Sequence, residues 1–206
     1  MTVRLTLCAT TADHSRETVF GDGSPNEYSL RDVDIVAAAL RPNTVILHAP
    51  STRCAQTAAA LGRESVPELA LRDIDYGTWH GRTVGDVAVA DPYGLSAWLT
   101  DPDAAPHGGE SVRQLCLRTQ RWLHSLTPGS ARILVIAEPA AVRALLVNAM
   151  SVPATAFWHL FLHTSTPVPL AWHDGGWNVE PRSAAVIRSR EPAERSTCQA
   201  PRWRRY

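Results

Sequence analysis

Apolar and polar residues alternate over Val3-Arg4-Leu5-Thr6-Leu7-Cys8, the period of a half-buried strand. After a Gly/Asp/Pro/Ser/Asn loop over residues 21–26, Ser29 opens a helical pattern through Leu30, Val33, Val36, Ala37 and Leu40, with Asp32 in the position of a capping partner. Thr44-Val45-Ile46-Leu47-His48 is a near-continuous apolar run suited to a buried parallel strand. A second helix follows from Pro50-Ser51 through Thr57, Ala60 and Leu61, and residues 69–74 read as another short extended segment. An irregular region then runs to Pro106, with helical signals over 84–89 and 94–99. Ser111 starts a strongly amphipathic helix (Val112, Leu115, Cys116, Thr119, Trp122, Leu123, Leu126) that Pro128-Gly129 ends. Ile133-Leu134-Val135-Ile136 is a second buried-strand run, and Pro139 begins a helix to about Met150, where a missing N–H costs nothing. Two Trp-bearing stretches, 167–173 and 176–180, predict a hairpin around Asp174-Gly175.

This order predicts a three-layer α/β/α sandwich with a mainly parallel central sheet, spanning residues 1–181. From residue 182 the periodicity stops, and the last stretch, 183–206, holds six Arg against two Glu. Residues 182–206 therefore read as a disordered Arg-rich tail; a basic anchor with Trp203 as its aromatic handle is the sharper alternative.

Composition removes several chemistries. Twenty basic residues balance twenty acidic ones, which gives no support to a polyanion-binding role. Every basic residue is Arg, so neither a lysine Schiff base nor a phosphate-loop lysine is available. The four cysteines are scattered without a CxxC pair. The N-terminus is too short and polar for a signal peptide, and no apolar run approaches 18 residues. The expectation is a cytoplasmic protein without cofactor or metal, acting on a small molecule and not on nucleic acid or membrane, with a homodimer left open.

Four segments carry chemistry: His48-Ala-Pro-Ser-Thr-Arg53-Cys-Ala-Gln56-Thr57-Ala, Leu71-Arg72-Asp73-Ile-Asp-Tyr-Gly77-Thr-Trp79-His-Gly81, Pro106-His-Gly-Gly-Glu110-Ser111, and Val135-Ile-Ala-Glu138-Pro-Ala-Ala-Val142-Arg143-Ala-Leu-Leu. In this order they resemble the S-P-x-x-R, L-R-E-x-D-F-G, P-x-G-G-E-S and V-x-S-H-G segments of the histidine phosphatase superfamily, the phosphoglycerate-mutase-like fold. The resemblance implies an Arg-His-Gly motif ending the first strand, a nucleophilic His that becomes phosphorylated, a second His after a later strand, anion-clamping arginines and an acidic proton donor.

The chain departs from that pattern at the decisive positions. The nucleophile falls on Ala9 or Thr10, and the preceding Arg on Cys8 or Ala9; His14 is too late for the register. The second His position carries Glu138. Arg53 remains as a clamp and Asp73 stands where the proton donor is expected. A dianionic phosphate about 4–5 Å from Glu138 would meet several kcal/mol of repulsion at an effective dielectric near 20. The reading is therefore a degenerate member, not a phosphohistidine enzyme, that performs dehydration, isomerisation, cyclisation or hydrolysis as a lyase-, isomerase- or cyclase-type enzyme. Glu138 and Asp73 would be its acid–base pair, Arg53 its anchor, and Thr10, Thr11, His80 and Glu110 its substrate contacts. The alternative is a pseudophosphatase that binds a ligand or a protein.

Other features have plainer readings. His159 and His163, on a stretch that alternates from Trp158, would lie about 13 Å apart on a strand, too far to share a metal. Arg143 reads as structural, and Glu110-Ser111 as a helix cap as well as a pocket edge. The Trp residues read as packing, although those within 76–106 could roof the pocket and favour an apolar or aromatic substrate.

Overall fold

The computed structural model describes residues 3–10, 20–21, 36–37, 40–126, 131–162, 167–173, 175–180 and 187–189. Thr11, His14, His163, the loop after Gly21 and most of the first expected helix lie outside them.

Strand β1 (Arg4–Ala9) alternates as its sequence does: Leu5 and Leu7 are fully buried, while Thr6 and Cys8 are only partly so. Strand β2 (Thr44–His48) leads into helix α1 (Thr52–Ala60), which returns the chain to a two-residue strand β3 (Val66–Pro67). Helices α2 (Val84–Ala90) and α3 (Pro92–Thr100) form the middle region, and α4 (Val112–Ser125) follows. Strand β4 (Arg132–Ala137) and helix α5 (Pro139–Ala149) come next, then β5 (Leu160–Leu162), the hairpin β6 (Val168–His173) and β7 (Gly176–Val179), and β8 (Ile187–Ser189).

The six-stranded sheet has the order β3-β2-β4-β1-β6-β7. Its first four strands are parallel and the hairpin adds two antiparallel ones. Strand β4 is central, paired with β1 and β2 at once, and four consecutive residues, Leu134 to Ala137, are buried. Burial on both pleat faces is what a strand between two helical layers requires. The expected α/β fold is observed. In the hairpin Trp172 pairs with Trp177 across the strands, with ring centroids 5.6 Å apart.

The middle region builds a second, smaller core from Phe20, Trp79, Val87, Leu95 and Trp98, with Tyr76 packed against it. The helical signals in that region are real, the first running one residue further at its end and the second two earlier and one later: Thr83 caps α2 through a capping box with Asp86, and Asp91 caps α3. No helix among the described residues is long and apolar enough to cross a membrane.

Three expectations change. Residues 69–74 are not extended: Leu69–Leu71 is a 3₁₀ turn whose Glu68 side chain accepts from the Ala70 N–H, and the extended pair lies earlier, in β3. Trp158 and His159 belong to a 3₁₀ helix, Ala154–His159, begun by Pro153, so the strand alternation starts only at Leu160. Within the expected tail, β8 pairs antiparallel with β5, Phe161 opposite Arg188.

Candidate active site

The parallel strands β1, β2 and β4 end at one edge of the sheet, stitched there by Thr10 N–H to Ala137 O and Ala49 N–H to Ile136 O. Ligand sites in open α/β sheets lie beyond that edge. Here it carries Thr10 after β1, Ser51, Arg53 and Cys54 at the start of α1, and Glu138 between β4 and α5.

Glu138 occupies the N-cap of α5 but makes no capping hydrogen bond with its side chain. Its carboxylate turns to α1, where Oε1 accepts a short hydrogen bond from the Ser51 hydroxyl and one from Cys54 Sγ at 3.3 Å. Arg53 Nη2 stands 3.8 Å from the same oxygen. Ser51 is itself the N-cap of α1 and accepts from Cys54 N–H at 3.2 Å. A buried anion is thus held where two helices begin, the end that favours negative charge. Burial is deep, with side-chain exposures of 4% for Arg53 and 1% for Glu138. Yet the pair is incompletely satisfied: Glu138 Oε2, Arg53 Nε and Arg53 Nη1 have no hydrogen-bond partner among the described residues. Leaving such groups unpaired costs about 1–3 kcal/mol each, more when charged.

Asp73 completes the cluster. Burial, then the negative field of Glu138, push its carboxyl up to about 7, against the opposing pull of its Ile74 N–H bond, Arg53 and Arg118. Tyr76 is held well above the ordinary phenol value by burial and then by Asp73, which keeps it a hydrogen-bond donor. Burial, reinforced by Glu138, raises the Cys54 thiol far beyond neutral pH, so Cys54 is a neutral donor and not a nucleophile. Of the three residues singled out from the sequence, Arg53 and Glu138 are in contact, and Asp73 feels the charge of both. Thr10 joins them: it is buried, with Oγ1 3.7 Å from Cys54 Sγ. Its backbone continues the ladder past Ala9, so Thr10 is the side chain that β1 delivers to the cluster.

The remaining candidates are placed elsewhere. Thr11 lies outside the described residues. His80 is exposed, and its ring lies over the backbone of Gly21, where a Cβ would sit 2.4 Å from it; Gly21 has φ +101°. Glu110 is engaged by Arg118 in a bidentate pair at 2.9 and 2.6 Å, with Arg72 also near. Ser111 caps α4 through a capping box with Gln114, as its position suggested. Arg143 makes structural contacts, donating to Leu160 O at 3.1 Å and lying 5.8 Å over Phe157; burial lowers its pKa while the charges of Tyr76 and Asp73 oppose that. Trp79 and Trp98 pack in the second core, whose edge residue Tyr76 links it to the carboxyls.

Sequence reasoning missed Ser51, Cys54 and Tyr76. A signal existed for each: Ser51 and Cys54 flank Arg53 in cap spacing, and Tyr76 lies three residues after Asp73. Among the described residues no group of three or more His, Cys, Asp and Glu side chains is arranged to hold a metal ion. The described histidine nearest the strand edge in sequence, His48, bonds Ala49 O through Nδ1 at 2.8 Å.

The family profile described as "Histidine phosphatase superfamily (branch 1)" matches residues 26–183. A bifunctional protein of Mycobacterium tuberculosis is 29% identical over 171 residues, 77% of this chain and 47% of its own length. The glucosyl-3-phosphoglycerate phosphatase of Mycolicibacterium vanbaalenii is 30% identical over 128 residues, 56% of this chain and 57% of its own. The chain thus spans about half the length of the curated relatives it matches. The α-ribazole phosphatase of Shigella flexneri superposes with a TM-score of 0.73 at 18% identity, covering 92% of this chain and 96% of the other; at that identity the likeness speaks for the fold.

Proposed function

The chain belongs to the histidine phosphatase superfamily, and from that premise we propose that it uses the strand-edge site of this fold for proton transfer on a small organic molecule, in place of phosphohistidine chemistry. One arrangement carries the reading: Glu138 lies buried at the strand edge with Arg53, Ser51 and Cys54 on its Oε1, and together with burial its negative field pushes the Asp73 carboxyl up to about 7. A general acid or base works best when its pKa lies near the operating pH. Two carboxyls in unlike surroundings divide the roles, one giving a proton while the other stays charged. Asp73 is the donor, Glu138 its counterpart, and Arg53, with Nε and Nη1 unsatisfied, takes an acceptor of the substrate such as a carbonyl or carboxylate oxygen.

The relatives' names suggest the competing reading, hydrolysis of a phosphomonoester. Glu138 opposes it. A dianionic phosphate brought beside this carboxylate would be repelled by several kcal/mol at an effective dielectric near 20, and Arg53 already offsets Glu138's own charge. A second reading, an inert binding module, draws on the depth of Glu138 and the three groups gathered on its Oε1. The orphaned Oε2, Nε and Nη1 weigh against it, because a pocket closed for good has no reason to leave charged groups unsatisfied.

The test is incubation of the purified protein with a metabolite extract, followed by mass spectrometry, beside an assay of 4-nitrophenyl phosphate with and without vanadate. The expected result is conversion of a metabolite without release of phosphate, lost in Asp73→Asn and Glu138→Gln. Vanadate-sensitive hydrolysis of the aryl phosphate would overturn the reading. Conversion that neither substitution affects would also overturn it.

A further inference from the structure

Arg118 was not among the residues singled out from the sequence, yet it spends its guanidinium on the segment that carries Asp73. From α4 its Nη1 donates to Ala70 O at 2.8 Å and to Arg72 O at 3.0 Å, and its Nη2 to Asp73 O at 3.3 Å. The carboxylate of Glu110 takes the rest, Nε at 2.9 Å and Nη2 at 2.6 Å. Five bonds thus use the five N–H donors a guanidinium offers. Exposures are 12% and 11% for the two side chains, so the pair is part-buried, at the edge of an open surface cleft. Three carbonyls within four residues fix the path of the chain up to Asp73, whose carboxyl feels the charges of Glu138 and Arg53.

The far end of that segment is clamped as well. Glu110 N–H donates to Asp75 O at 2.8 Å, and Thr78 N–H to His107 O at 2.9 Å. Gly77 (φ +46°) and Gly109 lie so close that a Cβ on either would come within 2.1 Å of a carbonyl oxygen, His107 O or Asp75 O. Glu110 therefore serves both clamps, by its backbone to Asp75 and by its side chain to Arg118.

We propose that the Glu110–Arg118 pair is the positioning device of the acid Asp73: it anchors the backbone of residues 70–73 so that the Asp73 carboxyl is presented to Glu138 and Arg53. This rests on the reading of Asp73 as the acid, but its test reads the carboxyl itself and needs no turnover. The charged and titratable groups acting on Asp73, or feeling its charge, are Glu138, Arg53, Arg118, Tyr76 and Arg143.

The experiment is a carbon-13 NMR titration of the Asp73 carboxyl in the wild type, Arg118→Met, Arg118→Lys and Glu110→Gln, with amide hydrogen exchange at Ile74, whose N–H is held by Asp73 Oδ1. The sign separates the two roles open to Arg118. Loss of a nearby cation alone raises the midpoint of a carboxyl. Loss of positioning frees Asp73 from burial and from Glu138, and lowers it. The expected result is a fall of about one pH unit or more in Arg118→Met, a smaller fall in Glu110→Gln, substantial recovery in Arg118→Lys and faster exchange at Ile74. A midpoint that rises or stays fixed, with exchange unchanged, overturns the proposal. Should Arg118→Met not fold, Glu110→Gln decides by the same two readouts. If metabolite conversion proves independent of Asp73, the proposed function falls while the titration still reports on the anchor.

Discussion

Two Arg–Glu pairs among the described residues, one part-buried and one deeply buried, differ in every respect that matters. Arg118–Glu110 is bidentate, at 2.6 and 2.9 Å, and the guanidinium has no idle donor. Arg53–Glu138 is a single contact at 3.8 Å, more deeply buried, with three polar atoms unsatisfied. Evolution of a structural pair favours complete satisfaction, because a desolvated charge is stabilised only when its hydrogen bonds are made. The first pair has that character and acts as a strut. The second is charged, buried and short of partners, as a site that completes itself with a ligand would be.

The contrast can be broken most forcefully at Arg118. Arg118→Met leaves Glu110 with Arg72 alone and frees three carbonyls, and the loss of five hydrogen bonds of roughly 0.5–1.5 kcal/mol each should cost about 3–5 kcal/mol in urea unfolding. Next in size is the pH dependence. Asp73 binds its proton more tightly folded than unfolded, so its contribution to stability is present below about pH 4 and is lost as pH rises through about 7. Asp73→Asn should flatten that slope and raise stability at pH 8 by on the order of 3 kcal/mol, read from melts across pH. Arg53→Met should cost less than Arg118→Met, about 1–3 kcal/mol, because Glu138 keeps its bonds to Ser51 and Cys54. Equal losses at Arg53 and Arg118 would erase the distinction between strut and site. The smallest effect, about 1 kcal/mol, belongs to Ser111→Ala, which removes one capping bond beside Glu110 and calibrates the others.

The strands and long helices were legible because each has a strong period: the alternation of β1, the apolar runs of β2 and β4, and the buried stripe Leu115, Cys116, Thr119, Trp122 and Leu123 of α4. Where elements are only two or three residues long, periodicity has nothing to act on. Val66–Pro67 pairs with β2 although both of its residues are exposed, and Leu69–Leu71 looks extended until Glu68 caps it into a 3₁₀ turn. Trp158 and His159 misled for the same reason, since Pro153 starts a turn that mimics alternation. At the site, local motifs brought out Arg53, Asp73 and Glu138. The partners of Glu110 were invisible, because Arg118 lies eight residues away and meets it only once α4 has formed. Glu110 looked like a substrate contact for want of that second residue.

The measurement that tests the account most directly is the titration of the Asp73 carboxyl in the wild type and in Glu138→Gln. The account predicts a midpoint near 7 in the wild type and a partial fall once the neighbouring charge is gone, with burial still holding it above the ordinary carboxylate range. A midpoint near the ordinary aspartate value in both proteins would contradict it, for the two carboxyls would then share neither a site nor a task.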